Sequence, residues 1–252
     1  MIAIQDLHKR FGKFNALQAI HLQMEMGQAI ALIGPNGSGK TTLIKCLLGM
    51  VLPTQGDIRF EGKSILHQHL YREQIGYMPQ IGHYPGNMKI SQLIAMMKDL
   101  RKTQGTYLDE ELLLAFEIDK IAHKPMRTLS GGMRQKVSAC LAFLFNPKVL
   151  ILDEPTAGLD PLATEILKEK IRQEKQKGKL ILITSHILSD LEDIITDIVY
   201  LQDGQLQFYK TWLRLQNETG EKRLNRAIAQ VMQNQTFTNH PLKKNLYEYQ
   251  NS

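Results

Sequence analysis

Eight consecutive residues, Gly34-Pro35-Asn36-Gly37-Ser38-Gly39-Lys40-Thr41, fit the pattern G-x-x-x-x-G-K-[ST]. Glycines let the backbone curl until successive N–H groups point at phosphate oxygens, at the positive end of the helix that follows. Lys40 is then placed to reach the β- and γ-phosphates of a nucleoside triphosphate. The hydroxyl of Thr41, followed by Thr42, is placed to sit on Mg²⁺. A second element is Val149-Leu150-Ile151-Leu152-Asp153-Glu154. An acidic pair at the C-terminal end of a buried strand lies where α/β sheets place their ligands. Asp153 would hold Mg²⁺ through water, and Glu154 would orient or deprotonate the attacking water. These two elements specify a nucleoside-triphosphatase and no more.

A third element, Leu129-Ser130-Gly131-Gly132-Met133-Arg134-Gln135, reads in isolation as a helix N-cap. Its hydroxyl and clustered N–H groups also make a second phosphate-binding helix start. A single nucleotide does not need two. The economical arrangement is a head-to-tail pair of copies, each offering this loop to the nucleotide of the other.

The elements that must position these groups follow from the apolar pattern. The first 35 residues read as short strands with a turn, ending in Ala29-Ile30-Ala31-Leu32-Ile33. Thr41 to Leu48 carries helical periodicity, and Gly49 stands where a C-terminal glycine is expected. From about residue 87 to 147 the chain reads as helical. Ser91 is positioned to cap a helix through Leu93, Ile94, Met96, Met97 and Leu100, a second helix covers Leu108 to Phe116, and a third starts after Ser130 and stops before Pro147. Beyond it come the buried strand that ends at Asp153, a helix begun by Asp160-Pro161, and the buried strand Leu180 to Thr184. Asp203-Gly204 marks a hairpin between two more strands. Strands alternating with helices imply an α/β fold around a mostly parallel sheet. Residues 211–252 read as a tail in which Leu224, Ile228, Val231 and Met232 make one amphipathic helix before a fraying Asn/Gln/Lys-rich end.

Composition excludes several classes. At 252 residues with 43% apolar and 22% charged residues, disordered and fibrous architectures drop out. Two cysteines, Cys46 and Cys140, give neither a disulfide framework nor a Cys-based zinc site. The first residues lack the apolar run of a signal peptide, and no apolar stretch approaches the roughly 18 residues of a membrane span. A net charge of +6 suits an anionic partner without selecting one.

With the acidic pair following it in the chain, the Ser130 loop makes this sequence resemble the ATP-binding-cassette (ABC) ATPases. The resemblance spans residues 1–210 and rests on seven motifs in order. It implies a P-loop NTPase core with helices on both faces of its sheet, an antiparallel β subdomain, a helical subdomain at about 87–147, and a short C-terminal helical extension over 211–252. By motif, Phe11 in Lys9-Arg10-Phe11-Gly12 matches the aromatic that stacks on adenine, and Gln80 in Tyr77-Met78-Pro79-Gln80 matches the glutamine that contacts Mg²⁺ and the attacking water. Ser130, Gly131 and Gly132 match the signature that grips the γ-phosphate across a dimer. Met133 stands where Gln is commonest. Asp160 in Ala157-Gly158-Leu159-Asp160 matches the residue that links the two sites, and His186 matches the switch histidine at the γ-phosphate. The other seven histidines read as surface or packing residues.

The resemblance further implies a second copy as partner and a separate integral membrane permease subunit that docks near Ile81 to Met88. It places the chain in the cytoplasm, on the inner face of the cell membrane. Tyr77 to Pro85 and Leu52 to Gly56 also resemble the ATPase that serves copper-site maturation of bacterial nitrous oxide reductase. A mechanical ATPase that drives a membrane complex without cargo fits the same motifs. Nucleic-acid and ribosome-acting relatives fit less well. About ninety residues separate Lys40 from Ser130, leaving no room for long coiled coils, and the chain has one set of motifs. The positive charges are scattered and no nucleic-acid-reading motif occurs.

Overall fold

The computed structural model describes residues 1–101 and 107–239. The chain opens with two long strands, β1 (Ile2–Phe11) and β2 (Phe14–Met24), followed by β3 (Ala29–Ile33) and α1 (Lys40–Leu47). At 10 and 11 residues, β1 and β2 are longer than the sequence suggests. Positive φ at Asp6 and Ala19 marks irregular pairing that interrupts their alternation and hides their length. Next come β4 (Gln55–Phe60), the two-residue β5 (Lys63–Ser64) and β6 (Ile75–Met78). Strands β2-β1-β4-β5 form an antiparallel sheet.

The helical insert contains α2 (Ile90–Leu100), α3 (Glu111–Ala115), α4 (Ile118–Ile121) and α5 (Gly131–Phe143). Two expectations are corrected here. The N-cap of α2 is Lys89, whose N–H donates to the Gln92 side chain at 3.0 Å, so Ser91 lies inside the first turn. The helix foreseen over Leu108 to Phe116 is the shorter α3, and a further helix, α4, follows it beyond that segment. Glu117 between them takes the left-handed conformation (φ 51°), which ends one helix and starts the other.

The remaining elements are β7 (Val149–Asp153), α6 (Pro161–Gln176), β8 (Leu180–Thr184), β9 (Asp197–Gln202), β10 (Gln205–Thr211), α7 (Trp212–Thr219) and α8 (Leu224–Asn239). The central sheet has the order β10-β9-β3-β8-β7-β6, parallel except for the edge strand β10. β3, β7 and β8 are buried at every residue, as their unbroken apolar runs require of strands covered on both faces. One face packs on the helical insert and α6. The other packs on α1 and the antiparallel sheet.

The chain after residue 210 does not begin as a tail. Thr211 completes β10 and caps α7, and Leu215, Leu224, Ala227 and Ile228 are buried in the core that holds α5 and α6. The Glu192 carboxylate accepts the Leu224 N–H at 2.7 Å, which fixes the start of α8. The foreseen frayed end extends into residues 240–252, outside the described residues. Among the described residues no helix is long and apolar enough to cross a membrane.

Candidate functional site

Strand β3 delivers the chain into the glycine-rich loop at Gly34, and α1 carries it out at Lys40. Two glycines are required by close approach. A Cβ on Gly34 (φ 155°) would lie 2.0 Å from the Leu201 carbonyl oxygen, and one on Gly39 (φ 104°) would lie 2.7 Å from that of Ala16. Lys40 Nζ donates to the carbonyls of Gly34 at 2.7 Å and Pro35 at 3.0 Å, which holds the ammonium over the loop. Burial lowers the Lys40 pKa, against the opposing pull of Glu154 and Asp153. Ser38 Oγ is buried without a hydrogen-bond partner, an orphan donor in a loop whose chemistry suits an anion.

A cavity of about 460 Å³ lies against this loop, lined by Asn36, Gly37, Ser38, Gly39, Lys40, Thr41 and Thr42 and closed by Gln80, Asp153, Glu154 and His186. Residues from five separate stretches of sequence therefore meet round one space. Phe14 and Ala16 also line it, and Phe11 does not. Phe11 and Phe14 are register partners across the Gly12-Lys13 turn, but β2 is the strand pressed on the loop, at Ala16 against Gly39. The Phe11 ring instead faces Lys9 Nζ, 4.8 Å from its centroid. Phe14→Ala is expected to raise the KM for ATP about tenfold and Phe11→Ala to change it less than twofold, since one stacked ring contributes roughly 1–3 kcal/mol. Steady-state hydrolysis over a range of ATP concentrations decides between them.

The acidic pair is fixed from β8. Asp153 and Thr184 are register partners, and the Thr184 hydroxyl donates to Asp153 Oδ1 at 2.6 Å. The same hydroxyl accepts the Glu154 N–H at 3.0 Å, as does the Thr184 carbonyl at 3.2 Å. Glu154 is held at φ 51°, a left-handed conformation that costs a non-glycine residue on the order of 1–3 kcal/mol. Strain of this kind persists only where the surroundings over-determine it. Glu154 Oε1 lies 2.8 Å from Nε2 of His186, so a carboxylate and an imidazole stand side by side in the cavity wall. The sequence pattern does not single out Thr184 as a site residue. Its one signal is a hydroxyl at the end of an otherwise apolar strand.

Ser130, Gly131, Gly132 and Asp160 do not line this cavity. Ser130 Oγ caps α5, accepting the Met133 N–H at 3.2 Å. Asp160 caps α6 through the Ala163 N–H at 2.9 Å and pairs with Lys136 at 2.7 Å. A Cβ on Gly132 would lie 2.6 Å from the Gly158 carbonyl oxygen, so the two loops are packed together.

The ABC transporter family model matches residues 17–157. The chain belongs to the ABC transporter family. It is an ATP-binding cassette with the ATPase fold of that family. The lantibiotic transport ATP-binding protein SrtF of Streptococcus pyogenes is 35% identical over 217 residues, covering 84% of this chain and 91% of that protein. The Nod factor export ATP-binding protein I of Ralstonia nicotianae is 31% identical over 209 residues, covering 81% of this chain. The match spans only 65% of that protein's length. A solved ATP-binding subunit of an ABC transporter superposes with a TM-score of 0.83 at 28% identity, over 92% of this chain and 99% of that one. A dimeric bacterial ABC cassette shares the fold at a TM-score of 0.74 and 22% identity, over 84% of this chain and 98% of that one.

Proposed function

We propose that this cassette powers a separate membrane subunit by closing, as a head-to-tail homodimer, on two ATP molecules and reopening after hydrolysis. The observation that supports this most directly is the division of the phosphate-binding parts. Asn36 to Thr42 meet Asp153, Glu154, Gln80 and His186 round one cavity, while Gly34, Pro35 and Ser130 to Gly132 do not line it. A second copy would supply the missing wall. Thr41, Gln80 and Asp153 offer the hard oxygen donors that would hold Mg²⁺. When bound, Mg²⁺ neutralises charge on the β- and γ-phosphates. Glu154 takes the proton of the attacking water, His186 orients Glu154 and faces the γ-phosphate, and Lys40 neutralises the phosphate chain.

The surface after Gln80 is our candidate for the permease contact. Ile81 is 64% exposed, and a second hollow of about 290 Å³ is lined by Gly82, His83, Tyr84, Gly86, Met126, Arg127 and Arg134. The cargo is a different matter. SrtF and Nod factor export protein I are named for unlike cargoes, so a shared ATP site carries no cargo preference. The likeness to the nitrous oxide reductase maturation ATPase rests on Tyr77 to Pro85 and Leu52 to Gly56 alone.

Tagged Glu154→Gln protein, purified with ATP from gently solubilised native cells, is expected to bring down a multispan membrane protein. Recovery of ribosomes or nucleic acid with no membrane protein would overturn the transport reading and leave the ATPase intact.

A further inference from the structure

Glu154 is held in its strained conformation from two sides. Its N–H is fixed by the carbonyl and hydroxyl of Thr184, on a strand at the centre of the sheet. Its carbonyl is held from the helical insert by Gln135, one turn into α5. The Gln135 Nε2 group donates to the carbonyl oxygens of Glu154 at 3.3 Å and of Pro155 at 3.4 Å. Gln135 is only 5% exposed, so water has little access to replace it. Both bonds are long and shared by one amide, a geometry that tightens or breaks with shifts of a few tenths of an ångström.

The same helix is attached to the loop after Glu154 at two more points. Gly132 packs on the Gly158 carbonyl, and Lys136 pairs with Asp160. The first residues of α5 are Gly131 and Gly132, capped by Ser130. In the head-to-tail dimer these reach the nucleotide of the partner copy, while Gln135 holds the base of its own site.

We propose that Gln135 is a positioning residue that makes the Glu154 of one site respond to the nucleotide seated in the other. When Ser130 and Gly132 engage the partner's ATP, α5 settles and Gln135 fixes the Glu154 peptide. When they disengage, the clamp on the carbonyl side loosens and Glu154 is held only by Thr184. This rests on the head-to-tail dimer proposed above.

The test uses the full chain with Gln135→Met, which keeps the shape and removes both donors. We expect kcat to fall 10- to 100-fold with the KM for ATP within threefold of the parent. In the Glu154→Gln background, Gln135→Met should leave ATP-dependent dimer formation unchanged, read by size exclusion. A packing role alone would move KM or dimer formation together with kcat. Gln135→Glu has no N–H to give at neutral pH and should lose as much, so either variant decides if the other fails to fold. A parent-like kcat in a folded variant overturns the role of Gln135 and leaves the dimer standing, as does a loss shared equally by kcat and dimer formation. A Glu154→Gln protein that never dimerises with ATP overturns the dimer, and the coupling with it.

Discussion

Glu154→Gln is expected to bind ATP, close and stall, with hydrolysis reduced roughly 10²- to 10⁴-fold, the contribution of a positioned general base. The substitution replaces one carboxylate oxygen by an amide and changes almost nothing else. The strained backbone at residue 154 is held through main-chain groups by Thr184 and Gln135, neither of which senses the side chain. An amide can still form a hydrogen bond to His186, which lies 2.8 Å from Glu154 Oε1 in the parent. Lys40, the glycine-rich loop and Asp153 keep their places, so nucleotide affinity should hold. What is lost is the ability to accept a proton. Phosphate release under saturating ATP and Mg²⁺ reads the first effect, and the ATP-dependent shift in molecular size reads the second. Turnover at the parent rate would show that another group activates the water.

The parts of this site that are legible in sequence are those whose chemistry fixes both residue type and spacing. A loop that wraps phosphate must put glycines at 34, 37 and 39 and Lys at 40. A strand buried on both faces must read as Val149 to Leu152. Long-range packing is less legible. Phe11 and Phe14 are equally aromatic and only three residues apart. Which of them walls the cavity is decided by β2 pressing on Gly39, a contact far away in sequence. Gln135 reads as the polar end of a signature, because nothing local says that its amide turns inward to Glu154. The buried face of α7 is hidden in the sequence for the same reason. Trp212, Leu213 and Leu215 are all apolar, yet Leu213 is exposed and Leu215 fully buried, a choice made by the packing of α7 against α8 and β10. Lys170 is the sharpest case. In Leu167-Lys168-Glu169-Lys170-Ile171-Arg172 it looks like one charge on a solvated helix face, yet its side chain is 1% exposed.

Lys170→Met is expected to cost about 3–5 kcal/mol, because it strands the buried Asp109 carboxylate without a cation and takes one of three from Glu174. Lys170 Nζ reaches Asp109 at 2.6 Å, Glu111 at 2.7 Å and Glu174 at 3.2 Å. Asp109 and Glu111 stand at the entry to α3 in the helical insert, so the loss falls where the insert joins α6. For a chain of this size the melting temperature should drop by roughly 6–20 °C. Glu111→Gln should cost under about 1 kcal/mol, since the Glu111 side chain is half exposed and solvent already screens it. Acid should expose the same network. Burial works to raise the Glu174 pKa, but hydrogen bonds from Lys177 and Lys179, aided by the charges of Lys179 and Lys170, hold it down at about 2 against an ordinary 4.5. A carboxylate depressed in the folded state gives stability that is present above the unfolded value and lost as pH falls through the folded one. The parent should therefore lose stability between pH 4.5 and 2. Burial pulls the Lys170 pKa down, but bonds to Asp109 and Glu111 outweigh it and hold the value above the ordinary one, so Lys170 stays charged throughout this window. Removing it takes one cation from Glu174, whose pKa must then rise. The acid limb of the stability profile in Lys170→Met should move to higher pH, and an unmoved limb would show that Lys177 and Lys179 alone keep Glu174 ionised.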